Sequence, residues 1–346
     1  MKFAKYFLLL LLIGFIGSSI YIAVQPNNLF LTKIRIIEAP QEVIYDHIND
    51  LNTWKDWSPW PKTDSGDTLI NSDTYTWLND NEIGNISTIS HTKPNALKQA
   101  LSFPKYPESE LDWELNPVSK TSTQVTWTLS SKTIPFKKKA MYVFFGNPES
   151  ELDSKFEASL TKLDSAVQKS MQTYSISLQG ITHHSGGYYL FKTASGKTTG
   201  FHKIIEKIAP EVNAYVKSNN IITAGAPFVY YHKWDTINNA VIFSYCIPTS
   251  TQIISSKEDI LTGFFEPFKT TKTTLKGDYK YLDKAWGTTF DNLKTENLTA
   301  VENGPMLETY VTNPEQIVNP ANWITELYVA IKDQDSIPAF SLHQTE

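Results

Sequence analysis

The first apolar segment of the chain runs without a charged residue from Tyr6 to Val24. At about 1.5 Å per residue, a helix of this length comes close to crossing a hydrocarbon core of about 30 Å. Lys2 and Lys5 precede it and favour a cytoplasmic N-terminus. The pattern predicts a single-pass anchor over residues 1–25 in a bacterial inner (cytoplasmic) membrane, with the soluble body extracytoplasmic. A cleaved signal peptide is the alternative.

The next region, residues 30–172, alternates apolar and polar positions, as at Leu111, Trp113 and Leu115. Side chains two positions apart share one face of a strand, so this period predicts a sheet with one buried face. A long amphipathic helix ends the region, with Asn147 as its predicted cap. Its apolar stripe comprises Leu152, Phe156, Leu160, Leu163, Val167 and Met171.

A strand, a short helix, several strands and a long final helix follow one another in this region, and residues 37–60 read IEAPQEVIYDHINDLNTWKDWSPW. This order and segment resemble the helix-grip fold of the START/polyketide-cyclase-like (SRPBCC) superfamily. The resemblance implies that the long helix closes an antiparallel sheet over an internal apolar cavity. Five rings would then line a pocket: Trp54, Trp57, Trp60, Trp113 and Trp127. Core packing is the alternative interpretation of the same rings.

Residues 174–332 contain an internal repeat. The segment at 216–221 (VKSNNI) matches 293–298 (LKTENL), and 241–248 matches 323–330. Each copy combines an amphipathic helix with strands, so the region predicts a duplicated strand-helix-strand-strand domain with a groove between the copies. The predicted fold class is therefore α+β throughout, with residues 333–346 as a polar tail.

Three stretches in this order, 276–286 (KGDYKYLDKAW), 310–314 (YVTNP) and 324–329 (ITELYV), resemble the GyrI-like family. This family is also known as the effector-binding domain of AraC- and MerR-type multidrug regulators. The resemblance implies a glutamate on the last strand that faces the groove and pairs with cationic, aromatic-rich ligands. Glu326 is the matching residue. The helix-turn-helix of those regulators has no counterpart before residue 174.

Strand alternation supports a site at Glu326 independently. Leu327 and Val329 point toward the helices, so Glu326 and Tyr328 point the other way. A carboxylate among apolar side chains is costly without a partner, which a ligand cation held by aromatic rings would supply. A solvent-facing surface is the alternative. The predicted ligand-binding residues are Glu326, Tyr279, Trp286, Tyr310, Tyr328, Tyr230 and Phe228.

Composition narrows the possible chemistry. The net charge is −5 and Arg35 is the only arginine, which argues against a nucleic-acid partner. Cys246 is the only cysteine, so no intrachain disulfide or cysteine-based zinc site forms. We find no catalytic constellation, no metal-ligand spacing and no cofactor motif. The three lysines at 137–139 are interpreted as a solvated loop.

These patterns predict a membrane-tethered protein that binds hydrophobic or cationic aromatic small molecules in two pocket domains and senses or sequesters them. A non-enzymatic role is favoured. One alternative is a hydrolase or cyclase that acts on a small hydrophobic or electrophilic compound, with Glu326 as general base. Another is an envelope scaffold, which would expose an apolar patch.

Overall fold

The computed structural model describes residues 2–60, 69–70, 73–79 and 82–333. The chain divides into two compact units, Met1–Ser170 and Met171–Glu346. Each unit contains one antiparallel sheet with helices, which confirms the predicted α+β fold. The domain limits predicted from the sequence, and the independent folding of the two pieces, stay predictions. Beyond Asp333, the predicted tail lies outside the described residues.

The first unit begins with the apolar helix α1 (Lys2–Ala23), whose side chains are almost all exposed. Its segment Phe3–Ala23 is long and apolar enough to cross a membrane. A signal sequence meets the same criteria of length and composition. The role of α1 as a retained anchor therefore stays a prediction.

The sheet of the first unit has seven strands in the order β1-β7-β6-β5-β4-β3-β2. Three short helices and one long helix accompany it, and strand alternation puts one face of the sheet in the core. The elements are β1 (Phe30–Ile37), α2 (Gln41–Asn49), α3 (Trp54–Trp57), β2 (Leu69–Ile70), β3 (Thr74–Asn79), β4 (Glu82–Thr92), β5 (Ala96–Ser102), β6 (Ser109–Ser119), β7 (Ser122–Ser131), α4 (Phe136–Phe145) and α5 (Glu149–Met171).

Helix α5 forms where the amphipathic stripe predicts it. The Asn147 Oδ1 accepts a hydrogen bond from the Glu149 N–H at 3.1 Å, so Asn147 caps an otherwise free donor. Phe156 is buried and stacks on Trp127 of β7, with ring centroids 3.8 Å apart. Arg35 of β1 pairs with Asp164 at 3.1 Å on the flank of this contact. The only arginine of the chain thus holds the helix against the sheet.

Helix α4 contradicts the interpretation of residues 137–139 as a solvated loop. The three lysines form the first turn of this helix, and Lys139 is buried. The prediction failed because a run of lysines indicates solvent exposure only when no backbone carbonyls lie within reach.

The second unit is an eight-stranded antiparallel sheet in the order β12-β9-β11-β10-β14-β15-β13-β8, with two helices. Its elements are β8 (Ser175–His184), β9 (Gly187–Lys197), α6 (His202–Ser218), β10 (Phe228–Asp235), β11 (Ala240–Thr249), β12 (Leu261–Phe265), β13 (Phe268–Lys276), α7 (Leu282–Thr295), β14 (Met306–Tyr310) and β15 (Ile324–Ala330). The first half of the unit contains β8–β11 and the second half contains β12–β15. When each strand is exchanged for its counterpart in the other half, the strand order is the same read from the opposite edge, so a pseudo-twofold axis passes between β10 and β14. Each half begins with one strand more than predicted, β8 or β12. This strand pairs with the other half: β8 with β13 and β12 with β9.

The repeated sequence around the two helix ends has a local cause. Asn220 and Asn297 have positive φ angles of 51° and 52°. Asparagine tolerates this left-handed conformation and therefore ends helices. The following N–H groups of Ile221 and Leu298 reach back to carbonyls in the last turn, at 3.0 and 2.8 Å. The matching segments thus encode the same helix stop twice.

The two faces of this sheet differ. We call the face packed against α6 and α7 the helix face, where Val229 and Tyr231 of β10 pack with residues of α6. We call the opposite one the helix-free face. Aromatic residues also gather there, around Phe228, Cys246 and Leu307.

Candidate functional site

A carboxylate lies at the centre of the helix face, beside the pseudo-twofold axis. Glu308 belongs to β14, directly opposite Val229 of β10. Its flanking residues Met306 and Tyr310 point to the same face, as strand alternation requires. The side chain of Glu308 has no exposed surface.

Three aromatic side chains donate hydrogen bonds to Glu308. The Oε2 accepts from the Tyr231 O–H at 3.0 Å and from the Trp286 Nε1–H at 2.9 Å. The Oε1 accepts from the Tyr310 O–H at 2.7 Å. These donors come from β10, α7 and β14, so the tertiary fold assembles the site. Both oxygens thereby accept hydrogen bonds, as buried polar atoms require.

The tyrosines of this cluster are kept neutral. Burial, reinforced by the nearby Glu308 carboxylate, raises the pKa of Tyr231 and of Tyr310 well above the usual value. The same two causes raise the pKa of Tyr279, whose ring lies 5.3 Å from that of Tyr310. At neutral pH the Tyr231 and Tyr310 hydroxyls therefore stay protonated and can donate their hydrogen bonds to Glu308.

Glu308 lacks a countercharge within the part of the chain that the structure describes. No lysine, arginine or histidine of those residues forms an ion pair with it, and the three donors are all uncharged. Trp286, Tyr279 and Tyr310 are each only partly buried, and they separate the carboxylate from solvent. The arrangement can therefore hold a cation in an aromatic setting.

Glu326, the glutamate predicted from the sequence, has a different environment. It lies on the helix-free face, as the alternation of β15 predicts, and about a fifth of its side chain is exposed. Its Oε1 pairs with Lys272 Nζ at 2.7 Å, and its Oε2 accepts from the Tyr328 O–H at 2.5 Å. The chain itself thus supplies the cation that this carboxylate needs.

The structure does not bring the seven predicted site residues together. Tyr279, Trp286 and Tyr310 cluster around Glu308 on the helix face. The other four lie on the helix-free face, where Phe228, Tyr230 and Tyr328 pack in one aromatic cluster near Glu326. The prediction combined two faces of one sheet, and a ligand-binding role for Glu326 stays a prediction.

Glu308 was missed although the sequence carried a signal for it. The strand reads Met306-Leu-Glu-Thr-Tyr310, so Glu308 shares a face with one apolar and one aromatic residue. A carboxylate at such a position is as unusual as Glu326 in the last strand. The alternation alone does not tell which face of a strand meets a helix.

The five predicted pocket tryptophans of the first unit are buried, and all of them except Trp60 pack on one another. Trp113 stacks on Trp127 at 4.3 Å, and Trp57 contacts Trp54 at 4.8 Å and Trp113 at 5.8 Å. Trp60 lies edge-on to Phe156 at 6.0 Å. This packing favours the core interpretation.

Three buried donors in this aromatic core have no acceptor among the described residues. They are Trp60 Nε1, Trp127 Nε1 and Gln99 Nε2. Unpaired buried donors are costly, and a water molecule or a ligand oxygen would relieve them. A pocket in this unit therefore stays a prediction.

The fold and site together define the second unit as a duplicated α+β domain with an aromatic-lined acidic centre. Residues 188–332 match the family model of the GyrI-like small molecule binding domain. A GyrI-like domain is therefore present in this part of the chain. A search of curated proteins found no relative.

Several solved structures are similar to parts of the chain. The EcmrR C-terminal domain has 14% identity and a TM-score of 0.39, over 46% of this chain and 99% of that one. SAV2435 bound to tetraphenylphosphonium has 10% identity and a TM-score of 0.36, over 45% and 94%. The Zhui aromatase/cyclase from Streptomyces sp. R1128 has 11% identity and a TM-score of 0.33, over 42% and 97%. EcmrR is also seen in a complex with DNA, whereas the absence of a nucleic-acid partner here stays a prediction.

Proposed function

We propose that the protein is a membrane-tethered small-molecule binding protein and that its second unit binds an aromatic cation at Glu308. The observation that carries the proposal is the fully buried carboxylate, held by three neutral aromatic donors and paired with no cation of the described chain. The match of residues 188–332 to a small molecule binding domain supports the general role.

The energetics of the site favour a cationic ligand. A buried carboxylate loses its hydration, and hydrogen bonds from Tyr231, Tyr310 and Trp286 offset only part of that loss. A ligand cation would add a countercharge, and the surrounding rings would add cation–π attraction. A neutral ligand of the same shape would gain only the apolar contacts.

Access to the carboxylate requires a side-chain movement. Glu308 has no exposed surface, whereas Trp286, Tyr279 and Tyr310 are partly exposed and cover it. We infer that a ligand displaces one or more of these rings and replaces their contacts with its own. The indole fluorescence of Trp286 should respond to such a movement, and comparison of wild type with Trp286→Phe separates its signal from that of the other eight tryptophans.

The test compares a cation with a neutral molecule of similar size on the full-length protein. Methyltriphenylphosphonium and triphenylphosphine oxide are titrated against wild type, Glu308→Gln and the matched control Glu326→Gln. We expect Glu308→Gln to weaken binding of the cation by about tenfold or more, and each factor of ten corresponds to about 1.4 kcal/mol. The affinity for the neutral molecule should hardly change.

Glu326→Gln should leave both affinities unchanged, since Lys272 already neutralises that carboxylate. Equal affinity of wild type and Glu308→Gln for the cation would contradict the proposal. If Glu326→Gln instead selectively lost affinity for the cation, the binding site would have to be assigned to the helix-free face.

The tether and its topology rest on α1. Its length and composition suit a retained anchor, and Lys2 and Lys5 favour an extracytoplasmic body. Resistance to carbonate extraction would support retention, and release into the soluble fraction would contradict it. A reporter active only in the cytoplasm, fused after Glu346, should be inactive.

The first unit fits a helix-grip domain by its element order and by the packing of α5 on the sheet. Its closely packed tryptophans support a structural role for that core. No observation favours the alternative enzymatic function, because Glu326 is engaged with Lys272 and Tyr328.

A further inference from the structure

Helix α4 exposes several large apolar side chains, whereas two of its three lysines, Lys138 and Lys139, face inward. Phe144 is 69% exposed and Phe145 is 87% exposed. With Lys137 and Met141 they follow the helical spacing i, i+4, i+7 and i+8, so they form one stripe. A stripe of this composition on the outside of a globular unit marks an interaction surface.

The inward lysines are used for backbone contacts. Lys138 Nζ donates to the carbonyls of Pro104, at 2.9 Å, and of Tyr106. Lys139 is buried and donates to carbonyl groups at the end of α1. Because the ammonium groups of Lys138 and Lys139 bind carbonyls on the inner side, Lys137 is the one charged residue on the outer face of α4, beside the phenylalanines.

Lys139 fixes α4 to the end of α1. Its Nζ donates to the carbonyls of Ala23, at 3.3 Å, and Gln25, at 2.7 Å, and also to Asn27 Oδ1. The last carbonyls of a helix lack intrahelical partners and carry partial negative charge, so an ammonium group there is favourable. The position of α4 relative to the last turn of α1 is therefore set by specific bonds.

If α1 spans a bilayer, as the proposed tether requires, the end of α1 marks a membrane surface. The apolar segment Phe3–Ala23 has 21 residues, and at about 1.5 Å per residue it matches a hydrocarbon core of about 30 Å. Its last turn therefore reaches the boundary of the bilayer. Tyr21, 58% exposed, lies in this turn, and tyrosine is enriched at that depth.

We propose that α4 lies on the membrane surface beside α1, with Met141, Phe144 and Phe145 in contact with lipid acyl chains and Lys137 at the head groups. The partner of this surface is the lipid bilayer itself. The inference goes beyond ligand binding and rests on the tethering part of the proposed function. It gives the first unit a second membrane contact, so that this unit is docked on the bilayer and does not move freely about α1.

The topology of the sheet supplies a matched control position. Strand β7 runs from Ser122 to Ser131, and α4 follows its end. Ten residues of strand span about 30 Å, so the β6–β7 turn lies far from α4 along the strand direction. Val118, next to that turn, is 60% exposed and should stay in water.

The experiment measures contact with lipid at three positions of the full-length protein. Single cysteines replace Leu12 in α1, Phe145 in α4 and Val118 at the far end, and each is labelled with bimane. Wild type, whose lone Cys246 is fully buried, gives the background labelling. The proteins are placed in phosphatidylcholine–phosphatidylglycerol nanodiscs with and without doxyl-labelled lipid, which quenches bimane on contact.

We expect the label at Leu12→Cys and at Phe145→Cys to lose about half of its fluorescence or more in the doxyl discs, because both lie at acyl-chain depth. The label at Val118→Cys should be unchanged. Quenching at Leu12 without quenching at Phe145 would overturn the α4 contact and leave the tether intact. An unquenched label at Leu12→Cys would overturn the proposed tether and, with it, the proposed contact of α4 with the membrane.

A second copy of the chain is the other occupant that the test can detect. Phe145→Cys dimers that form under oxidation in the membrane, combined with an unquenched label, would show that α4 packs on another protomer. That result would also overturn the proposal. Quenching at Phe145 without such dimers supports it.

Discussion

Glu308 and Glu326 lie on neighbouring strands of one sheet and point to opposite faces. Glu326 is partly exposed and pairs with Lys272, so its charge is already balanced. Glu308 is fully buried and receives only neutral aromatic donors. The difference shows that apolar neighbours along a strand do not identify a ligand-binding carboxylate. What matters is whether the folded chain supplies the countercharge.

The largest expected difference between the two carboxylates is in stability. Glu308→Ala leaves Tyr231, Trp286 and Tyr310 without their acceptor, and each unpaired donor costs about 1–3 kcal/mol. We expect a loss of about 3 kcal/mol or more in the free energy of unfolding of the second unit. Glu326→Ala should cost about 1 kcal/mol or less, because water reaches its partners. Urea unfolding of both variants measures this, and equal losses would contradict the comparison.

A smaller effect separates the tyrosines of the two faces. Tyr231→Phe and Tyr310→Phe each remove one hydrogen bond to a buried carboxylate, which is worth about 1.5–3 kcal/mol. Tyr328→Phe is the matched control, since Glu326 keeps its ion pair with Lys272. We expect the control to lose about 1 kcal/mol or less. Midpoints of thermal unfolding, compared at equal pH, rank the three variants, and a larger loss in Tyr328→Phe would reverse the assignment.

The ion pair on the helix-free face should be measurable by itself. A double-mutant cycle with Lys272→Met and Glu326→Gln isolates the coupling between the two charges. Because the pair is partly exposed, we expect a coupling of about 0.5–1 kcal/mol that shrinks at high salt. A coupling of zero would mean that Glu326 is as free of a partner as Glu308.

The smallest expected effect is a loss of stability at acid pH, caused by protonation of His184 on the helix-free face. Burial lowers the pKa of His184, and its Nδ1 accepts the Gly186 N–H at 3.0 Å, which an imidazolium cannot do. The unfolded chain takes up a proton near pH 6.5, before the folded chain does. Stability should therefore be full above about pH 6.5 and fall as the pH drops through the lowered folded value.

His184→Asn keeps an acceptor for Gly186 and removes the titration, so its stability should depend less on pH between about 7 and 5. Urea midpoints at several pH values compare it with wild type. An unchanged pH dependence would assign the acid loss to other groups, such as His232, whose pKa burial also lowers.

Much of the fold could be predicted from the sequence because the periodicities are local. The stripe of α5 and its Asn147 cap indicated that helix correctly, and the repeated helix ends at Asn220 and Asn297 indicated the duplication. The exchange of edge strands between the two halves could not be predicted. Pairing partners far apart in the chain leave no periodic signal in either strand.

The candidate site was predicted in part. Tyr279, Trp286 and Tyr310 were named from the sequence, and they do gather around one carboxylate. That carboxylate is Glu308, which is brought to them by the pairing of β14 with β10. The prediction of a solvated loop at residues 137–139 failed for the same reason, because the carbonyl partners of these lysines lie more than thirty residues away in the chain.

The sequence by itself determined the apolar first helix, the two α+β regions, the duplication and the aromatic composition of the site, because each is written in local spacing and residue type. Only the tertiary structure decided which glutamate is left without a countercharge among the described residues, which tryptophans contact one another, and which face of α4 stays exposed. Each of these depends on contacts between residues distant in sequence, whose energies are set by burial and by the partners that the fold brings within bonding distance.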